Sequence, residues 1–242
     1  WMRVGFIHGV MNTDNMAISG ESIDFGPCAF MDHYDPKTVF SSIDHHGRYA
    51  FGNQPIIAQW NLARLADALL PLFDENENKA IEVGEEIIQS FNEKYEKKFH
   101  EMMKKKLGFV TDEPEDGVLV KELLDTMEKN KLDYTNTFRD LMNENISNEN
   151  LKDFYNKWTI RIDKQNRDKQ EILNLMRKNN PVVIPRNHKV EESLKEAHKG
   201  NLLSLNNLLN ALKDPYTERG DLMLYQQPAP DNEKKYKTFC GT

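Results

Sequence analysis

The sequence is poor in three features that would each point to a definite class of protein. It contains two cysteines, Cys28 and Cys240, which excludes a disulfide-rich secreted framework and favours a reducing compartment. It has no apolar run of eighteen or more residues, and its first ten residues are too short and too lightly charged for a signal peptide, so we expect a soluble protein without membrane contact. It also lacks a block of like charge. The net charge of −7 is spread over mixed Lys, Glu and Asp surfaces, and we expect no nucleic-acid partner.

The composition is that of a folded protein. The chain has 242 residues, of which 38% are apolar, enough for one large domain or two small ones with a buried core. Its first residue, Trp1, is not an initiator methionine, and no glycine-rich loop or lysine-bearing strand precedes the stretch discussed next. We therefore expect the chain to be the C-terminal part of a longer protein.

The stretch from His8 to Phe30, HGVMNTDNMAISGESIDFGPCAF, contains the strongest chemical signal. It places Asp14 and Asn15 side by side and then Asp24 in an Asp-Phe-Gly triplet. Carboxylate and amide oxygens are hard donors of the kind that bind Mg²⁺ on a nucleotide phosphate. A turn-capping role for Asp14 and Asn15 is the structural alternative.

Apolar periodicity predicts a mainly α fold, with a small β element at its start. Residues 16–25 read as a short hairpin turned at Gly20-Glu21. Helices are predicted from 54 to 70, expected to be largely buried, and over 78–107, 118–129, 168–178, 190–198 and 201–212. Further helices are expected through Phe138 and Leu141, capped by Asp133 or Thr135, and around Trp158. The segment after Asp214 is rich in proline and is expected to be extended.

The spacing in the opening stretch is close to that of kinases. Kinases place a catalytic Asp two residues after a His, a metal-binding Asn five residues later, and Asp-Phe-Gly downstream. His8, Asn15 and Asp24 keep this spacing, but Val10 occupies the position of the catalytic base. An apolar side chain cannot accept a hydroxyl proton, so ordinary kinase chemistry is disfavoured.

The chain resembles the selenoprotein O family, which is kinase-like and lacks the usual catalytic Asp. The resemblance rests on HGVMNTDNM, IDFGPCAFMDHYDP, DHHGRYAFGNQPIIAQWNLARLADAL, NPVVIPRNHKVEESLKEAHKGN and DPY, which together span most of the sequence. It implies the C-terminal, helix-rich lobe of a protein-kinase-like fold. On this basis residues 1–73 carry the catalytic and metal loops, residues 74–213 form a helical extension of the same lobe, and residues 214–242 form an extended tail.

The resemblance also implies an activity, which is transfer of AMP from ATP to Ser, Thr or Tyr hydroxyls of proteins. Asp14 is then the candidate general base. Asn15 and Asp24 are the candidate ligands of Mg²⁺, or of Mn²⁺, and Asp24 also faces the ATP phosphates. Since the family's nucleotide-gripping lobe has no counterpart in this sequence, the chain alone is expected to be inactive.

Several alternatives stay open. A phosphoryl-transferring kinase and a catalytically dead pseudokinase scaffold are the other functional classes. The family implies a redox bridge, for which Cys28 and Cys240 are the candidates here. Asp44-His45-His46 and Arg186-Asn187-His188 are interpreted as loop-ordering rather than catalytic residues. Bacterial cytoplasm is the expected location, with mitochondria as the alternative in a eukaryote.

Overall fold

A computed structural model describes residues 1–230 and 236–239. The chain forms two compact units built from interleaved stretches. The first unit comprises Trp1–Phe6, Phe30–Asp35 and His100–Tyr236, and the second comprises Ile7–Ala29, Pro36–Phe99 and Lys237–Thr242. The predicted segments 1–73, 74–213 and 214–242 are defined by their roles as catalytic and metal loops, helical extension and tail, and not by compactness. That division stays a prediction.

The described residues confirm the mainly α class. The helices are α1 Gln54–Phe73, α2 Glu77–Lys106, α3 Asp116–Asn130, α4 Tyr134–Met142, α5 Lys152–Lys164, α6 Lys169–Asn179, α7 Asn187–His198, α8 Leu203–Leu212 and α9 Met223–Gln226. Two of the helix starts have the side-chain caps that acidic residues provide. Asp133 accepts a hydrogen bond from the backbone N–H of Asn136, and Asp168 accepts from those of Gln170 and Glu171.

The small β element is confirmed, but other residues form it. Strand β1, Phe6–Ile7, pairs with β2, Ala29–Phe30. The hairpin predicted within residues 16–25 is reduced to a single antiparallel bridge between Met16 and Ser22. Strand pairing therefore closes off the whole stretch from His8 to Cys28 as one long loop between β1 and β2.

Two expectations about burial and shape are wrong. Helix α1 is not largely buried: its buried residues are Gln54, Ile57 and Asn61, whereas Ile56 is 62% exposed. Its apolar stripe is real, but periodicity cannot say whether a neighbour covers it. The segment after Asp214 is not extended throughout, because it contains a 3-10 turn at Gly220–Leu222 and then α9.

In the first unit, Arg186 fixes one end of α7. Its side chain is buried, and its guanidinium donates to Asp32 at 2.6 Å, to Asp133 at 2.6 Å and to the Gln226 carbonyl at 2.9 Å. Neighbouring Asn187 bonds both the N–H and the carbonyl of Phe30. The loop-ordering interpretation of Arg186 and Asn187 therefore agrees with their contacts.

Within the residues that the structure describes, no helix is both long and apolar enough to span a lipid bilayer.

Candidate active site

The candidate site lies in the second unit, on the loop between β1 and β2. Asp14 and Asn15 belong to a 3-10 turn at Thr13–Asn15. Asp24 follows in the returning half of the same loop, with a left-handed backbone conformation of φ 56°. Such a conformation is uncommon for a residue with a side chain, although Asp and Asn tolerate it best.

Two of the three predicted site residues contact each other. The amide nitrogen Nδ2 of Asn15 donates to the carboxylate oxygen Oδ2 of Asp24 at 3.0 Å and to the Val10 carbonyl at 3.0 Å. Both N–H groups of the amide are thus used, which leaves Oδ1 as the atom able to ligate a cation. The other oxygen of Asp24, Oδ1, lies 3.4 Å from the backbone nitrogen of Gly26.

Asp14 is exposed at the same turn. Among the described residues it makes no hydrogen bond or ion pair, so its carboxylate is available to an incoming group. Asp14 lies next to Asn15 because the two residues are consecutive in the sequence. The structure thus brings Asn15 and Asp24 into direct contact and leaves Asp14 beside them as an accessible acid.

His8 holds the two halves of the loop together. It is fully buried, and its ring nitrogen Nε2 lies 2.7 Å from the carbonyl oxygen of Ile23, the residue before Asp24. A nitrogen that faces a carbonyl must carry the proton, whereas Nδ1 faces the backbone N–H of Val10 at 3.4 Å and accepts. His8 therefore positions the loop and does not face the site.

Gly9 allows the first half of the loop to pass close to Pro27, which directly follows the Asp-Phe-Gly triplet. Its φ is +88°, and a Cβ atom at this position would lie 2.5 Å from the carbonyl oxygen of Pro27. Only glycine combines this backbone conformation with that approach. The same Pro27 carbonyl accepts a hydrogen bond from the Thr238 hydroxyl at 2.6 Å.

Three side chains that sequence reasoning missed support the loop from the 49–61 segment. Gln54 accepts from the backbone N–H of His8 at 3.0 Å, and Asn61 donates to the Met11 carbonyl at 2.9 Å. The hydroxyl of Tyr49 donates to Asn12 Oδ1 at 2.5 Å. Gln54 and Asn61 are nevertheless buried polar residues of α1, and their sequence context does not distinguish them from other polar residues of a helix.

Val10, at the position of the kinase base, is buried at 5% exposure. Its side chain is part of the packing beneath the loop rather than of an accessible surface. The geometry therefore supports the expectation that ordinary kinase base chemistry is absent at this position.

The donor set fits a divalent cation shared with a phosphate. Asn15 Oδ1 and the Asp24 carboxylate are hard oxygen donors, and Mg²⁺ is bound by one or two carboxylates together with phosphate oxygens and water. Within residues 1–230 and 236–239, no cluster of three His, Cys, Asp or Glu side chains could hold a metal without such help.

Asp44 instead orders its loop, because its carboxylate accepts from the backbone N–H groups of Arg48 and Tyr49 at 2.9 and 2.8 Å.

Cys28 follows the metal loop and is half-buried. Burial raises the pKa of its thiol, and the nearby Asp24 charge raises it further, while a backbone hydrogen bond works in the opposite direction. The predicted bridge to Cys240 lies outside the described residues and stays a prediction.

The chain is thus mainly α, and its candidate site places Asp14 and Asn15 beside the Asp-Phe-Gly triplet that begins at Asp24. A family model described as Protein adenylyltransferase SelO matches residues 1–213, and the chain belongs to this family, as the sequence resemblance predicted. Curated relatives named Protein nucleotidyltransferase YdiU match the whole chain. They include those of Pelagibacter ubique at 52% identity, Anoxybacillus flavithermus at 51% and Clostridium perfringens at 50%. The chain covers 51% of each of these relatives, so it spans about half of their length.

Proposed function

We propose that the protein to which this chain belongs transfers AMP from ATP to Ser, Thr or Tyr hydroxyls of proteins. The observation that carries the proposal is the 3.0 Å bond between Asn15 and Asp24, two predicted metal ligands nine residues apart in the sequence. The names of the family and of the relatives agree with nucleotidyl transfer to protein. The proposal goes beyond nucleotidyl transfer in two respects: the group transferred is AMP, and the acceptors are Ser, Thr or Tyr hydroxyls.

In this mechanism Asp14 receives the proton. The acceptor hydroxyl oxygen attacks the α-phosphorus of ATP, the bond from that phosphorus to the oxygen bridging the β-phosphate breaks, and pyrophosphate leaves. The hydroxyl proton passes to the Asp14 carboxylate, which is exposed and unpaired among the described residues. Positioning such a carboxylate beside the reacting hydroxyl contributes typically 10²–10⁴-fold to the rate.

Asn15 and Asp24 hold the nucleotide end of the site. Asn15 Oδ1 and the Asp24 carboxylate would bind Mg²⁺, or Mn²⁺, which when bound neutralises charge on the phosphate oxygens. The Asn15–Asp24 hydrogen bond fixes the two donors relative to each other before a nucleotide arrives. Pre-organised donors do not have to reorient during the reaction.

The chain spans about half of the length of the relatives that it matches, and we propose that further nucleotide contacts are made by residues outside it. We propose that the chain alone binds ATP poorly and is inactive. Thermal unfolding with and without Mg²⁺ and ATP tests this, because a ligand at one hundred times its Kd stabilises by about 2.7 kcal/mol. A shift of several degrees for the chain alone would contradict the proposal of incompleteness.

The reaction class is tested with the whole protein and ATP labelled at either the α- or the γ-phosphate. Label from the α-position on protein supports AMP transfer. Label from the γ-position would support a kinase, which buried Val10 disfavours, and no label from either would support a pseudokinase scaffold. An Asp14→Asn variant is the matched control, since it keeps the size of the side chain and removes the base.

A further inference from the structure

A cavity of about 590 Å³ in the second unit is lined by the 43–49 loop and the start of α1. Its lining includes Ile43, His45, His46, Arg48, Tyr49 and Ile56, and we call it the Arg48 pocket. We propose that the Arg48 pocket binds an acidic residue of the protein substrate together with a neighbouring apolar residue. The proposal rests on the proposed function in that it names which protein segments the enzyme selects.

Arg48 presents a pre-oriented guanidinium. Its central carbon lies 4.7 Å from the ring centroid of Trp60 and 5.6 Å from that of Tyr49. Contact with aromatic faces restrains the guanidinium plane and leaves its N–H groups at the edge, where a planar carboxylate accepts two of them. Among the described residues no carboxylate forms an ion pair with this side chain.

The acid within the pocket is already engaged. Both carboxylate oxygens of Asp44 accept backbone N–H groups, those of Arg48 and Tyr49. The exposed polar side chains of the pocket are therefore Arg48, His45, His46 and Asn53. Arg48 and the two histidines supply hydrogen-bond donors, whereas the amide nitrogen of Asn53 already donates to the Gly47 carbonyl at 2.7 Å. A pocket of accessible donors around a fixed cation is complementary to an anion.

The apolar side chains that line the cavity indicate what kind of anion it binds. Ile43 is 58% exposed and Ile56 is 62% exposed, and both line the cavity, with buried Ile57 behind them. Covering these side chains removes apolar surface from water, which is favourable by roughly 25 cal/mol per Å². A peptide carboxylate flanked by an apolar side chain meets both the cation and the walls.

The floor of the pocket is joined to the catalytic loop. Tyr49 packs against Met11 and Ile57, and its hydroxyl donates to Asn12, two residues before Asp14. A substrate segment seated over Tyr49 is thus held by the same packed cluster that carries the candidate base. This link makes the Arg48 pocket a selectivity site for the acceptor and not a distant surface feature.

The test is a positional-scanning peptide library. Each peptide carries one hydroxyl residue and one fixed neighbour, and the whole protein transfers label from α-labelled ATP. The wild type should prefer Glu or Asp over Gln or Lys by about tenfold at one or more positions, which is the factor expected of one charge-assisted hydrogen-bonded pair. Arg48→Gln should abolish this preference, and Arg48→Glu should shift it toward Lys at the same position.

Arg64→Gln is the matched control. Arg64 lies over the same Trp60 ring, 5.5 Å from its centroid, but it is paired with Asp67 at 2.9 Å and does not line the pocket. It should keep the wild-type preference. Absence of an acidic preference in the wild type, or the same preference in Arg48→Gln, would overturn the proposal, as would a rise in the KM for ATP with unchanged peptide preference.

A binding measurement separates this proposal from the proposed function. If no peptide receives label, AMP transfer has failed, and fluorescence anisotropy with a fluorescein-labelled Glu-Leu peptide and its Gln-Leu counterpart tests the pocket alone. Tighter binding of the Glu peptide by about tenfold, lost in Arg48→Gln and kept in Arg64→Gln, supports the pocket. Equal binding of the two peptides to the wild type overturns it.

Discussion

Replacing Gly9 with Ala should destabilise the second unit strongly, because two separate effects meet at this residue. A left-handed φ of +88° costs an L-residue about 1–2 kcal/mol. In addition, the new Cβ would lie 2.5 Å from the Pro27 carbonyl oxygen, and a forced shift of packed backbone costs typically 1–3 kcal/mol. We expect a loss of about 2–5 kcal/mol in the free energy of unfolding.

Gly20→Ala is the matched control for this prediction. Gly20 has a similar φ of +77°, but a Cβ there would meet nothing within 4 Å. It should therefore lose only the conformational part, about 1–2 kcal/mol. Urea unfolding followed by circular dichroism measures both variants, and losses equal within about 0.5 kcal/mol would refute the claim that Pro27 packs against the loop at Gly9.

Three further predictions concern buried or half-buried polar groups. Thr238→Val keeps the shape of the side chain but removes the donor to the Pro27 carbonyl, and it should cost about 1–3 kcal/mol in urea unfolding. Arg186→Leu leaves Asp32 and Asp133 without their cation and should cost about 3–5 kcal/mol, whereas Lys189→Ala on the same helix, which breaks an exposed pair, should cost less than about 1 kcal/mol. Burial raises the pKa of Asp140 from 3.8 to about 6, although Arg139 opposes the shift. The folded protein therefore holds a proton that the unfolded chain releases, so stability falls as pH rises from about 4 to 6. Asp140→Asn should remove this fall and gain on the order of 1 kcal/mol at pH 7, after allowance for solvent screening, with no gain below pH 4.

The long helices could be predicted because their signals are local. Helix α2, for which the sequence predicts residues 78–107, spans Glu77–Lys106, since apolar residues recur on one face from Ile81 to Met103. Asp133 and Asp168 were recognisable as helix starts because a cap acts on the two or three residues that follow it. Helix α9 has only four residues, too few for a period to be visible.

Strand pairing and burial could not be predicted because they depend on distant residues. The β element joins residues 6–7 to residues 29–30, and nothing within either pair specifies the other. The exposure of Ile56 likewise depends on what packs over α1, which an apolar stripe does not reveal.

The candidate site was predictable only in part. Asp14, Asn15 and Asp24 stand out because hard oxygen donors occur together within a short stretch. The supporting side chains Gln54 and Asn61 are distant in the sequence from the loop residues that they bond. Gln54 lies 46 positions after His8, and Asn61 lies 50 positions after Met11. Within a helix both look like ordinary polar residues. Their role becomes evident only when the loop is seen to lie against α1.

The most direct test of the central claim is the intact mass of a protein substrate after incubation with the whole protein, Mg²⁺ and ATP. The wild type should add the mass of one AMP group per modified hydroxyl. Asp14→Asn and Asp24→Ala should each lose this product by at least a hundredfold. Asp14→Asn should unfold at the wild-type urea concentration, because it neutralises an exposed carboxylate and keeps the size of the side chain. Asp24→Ala should unfold at a somewhat lower concentration, because it also removes the bond from Asn15 at a left-handed backbone position. A substrate that gains the mass of a phosphate instead, or an Asp24→Ala variant with wild-type AMP transfer, would contradict the account.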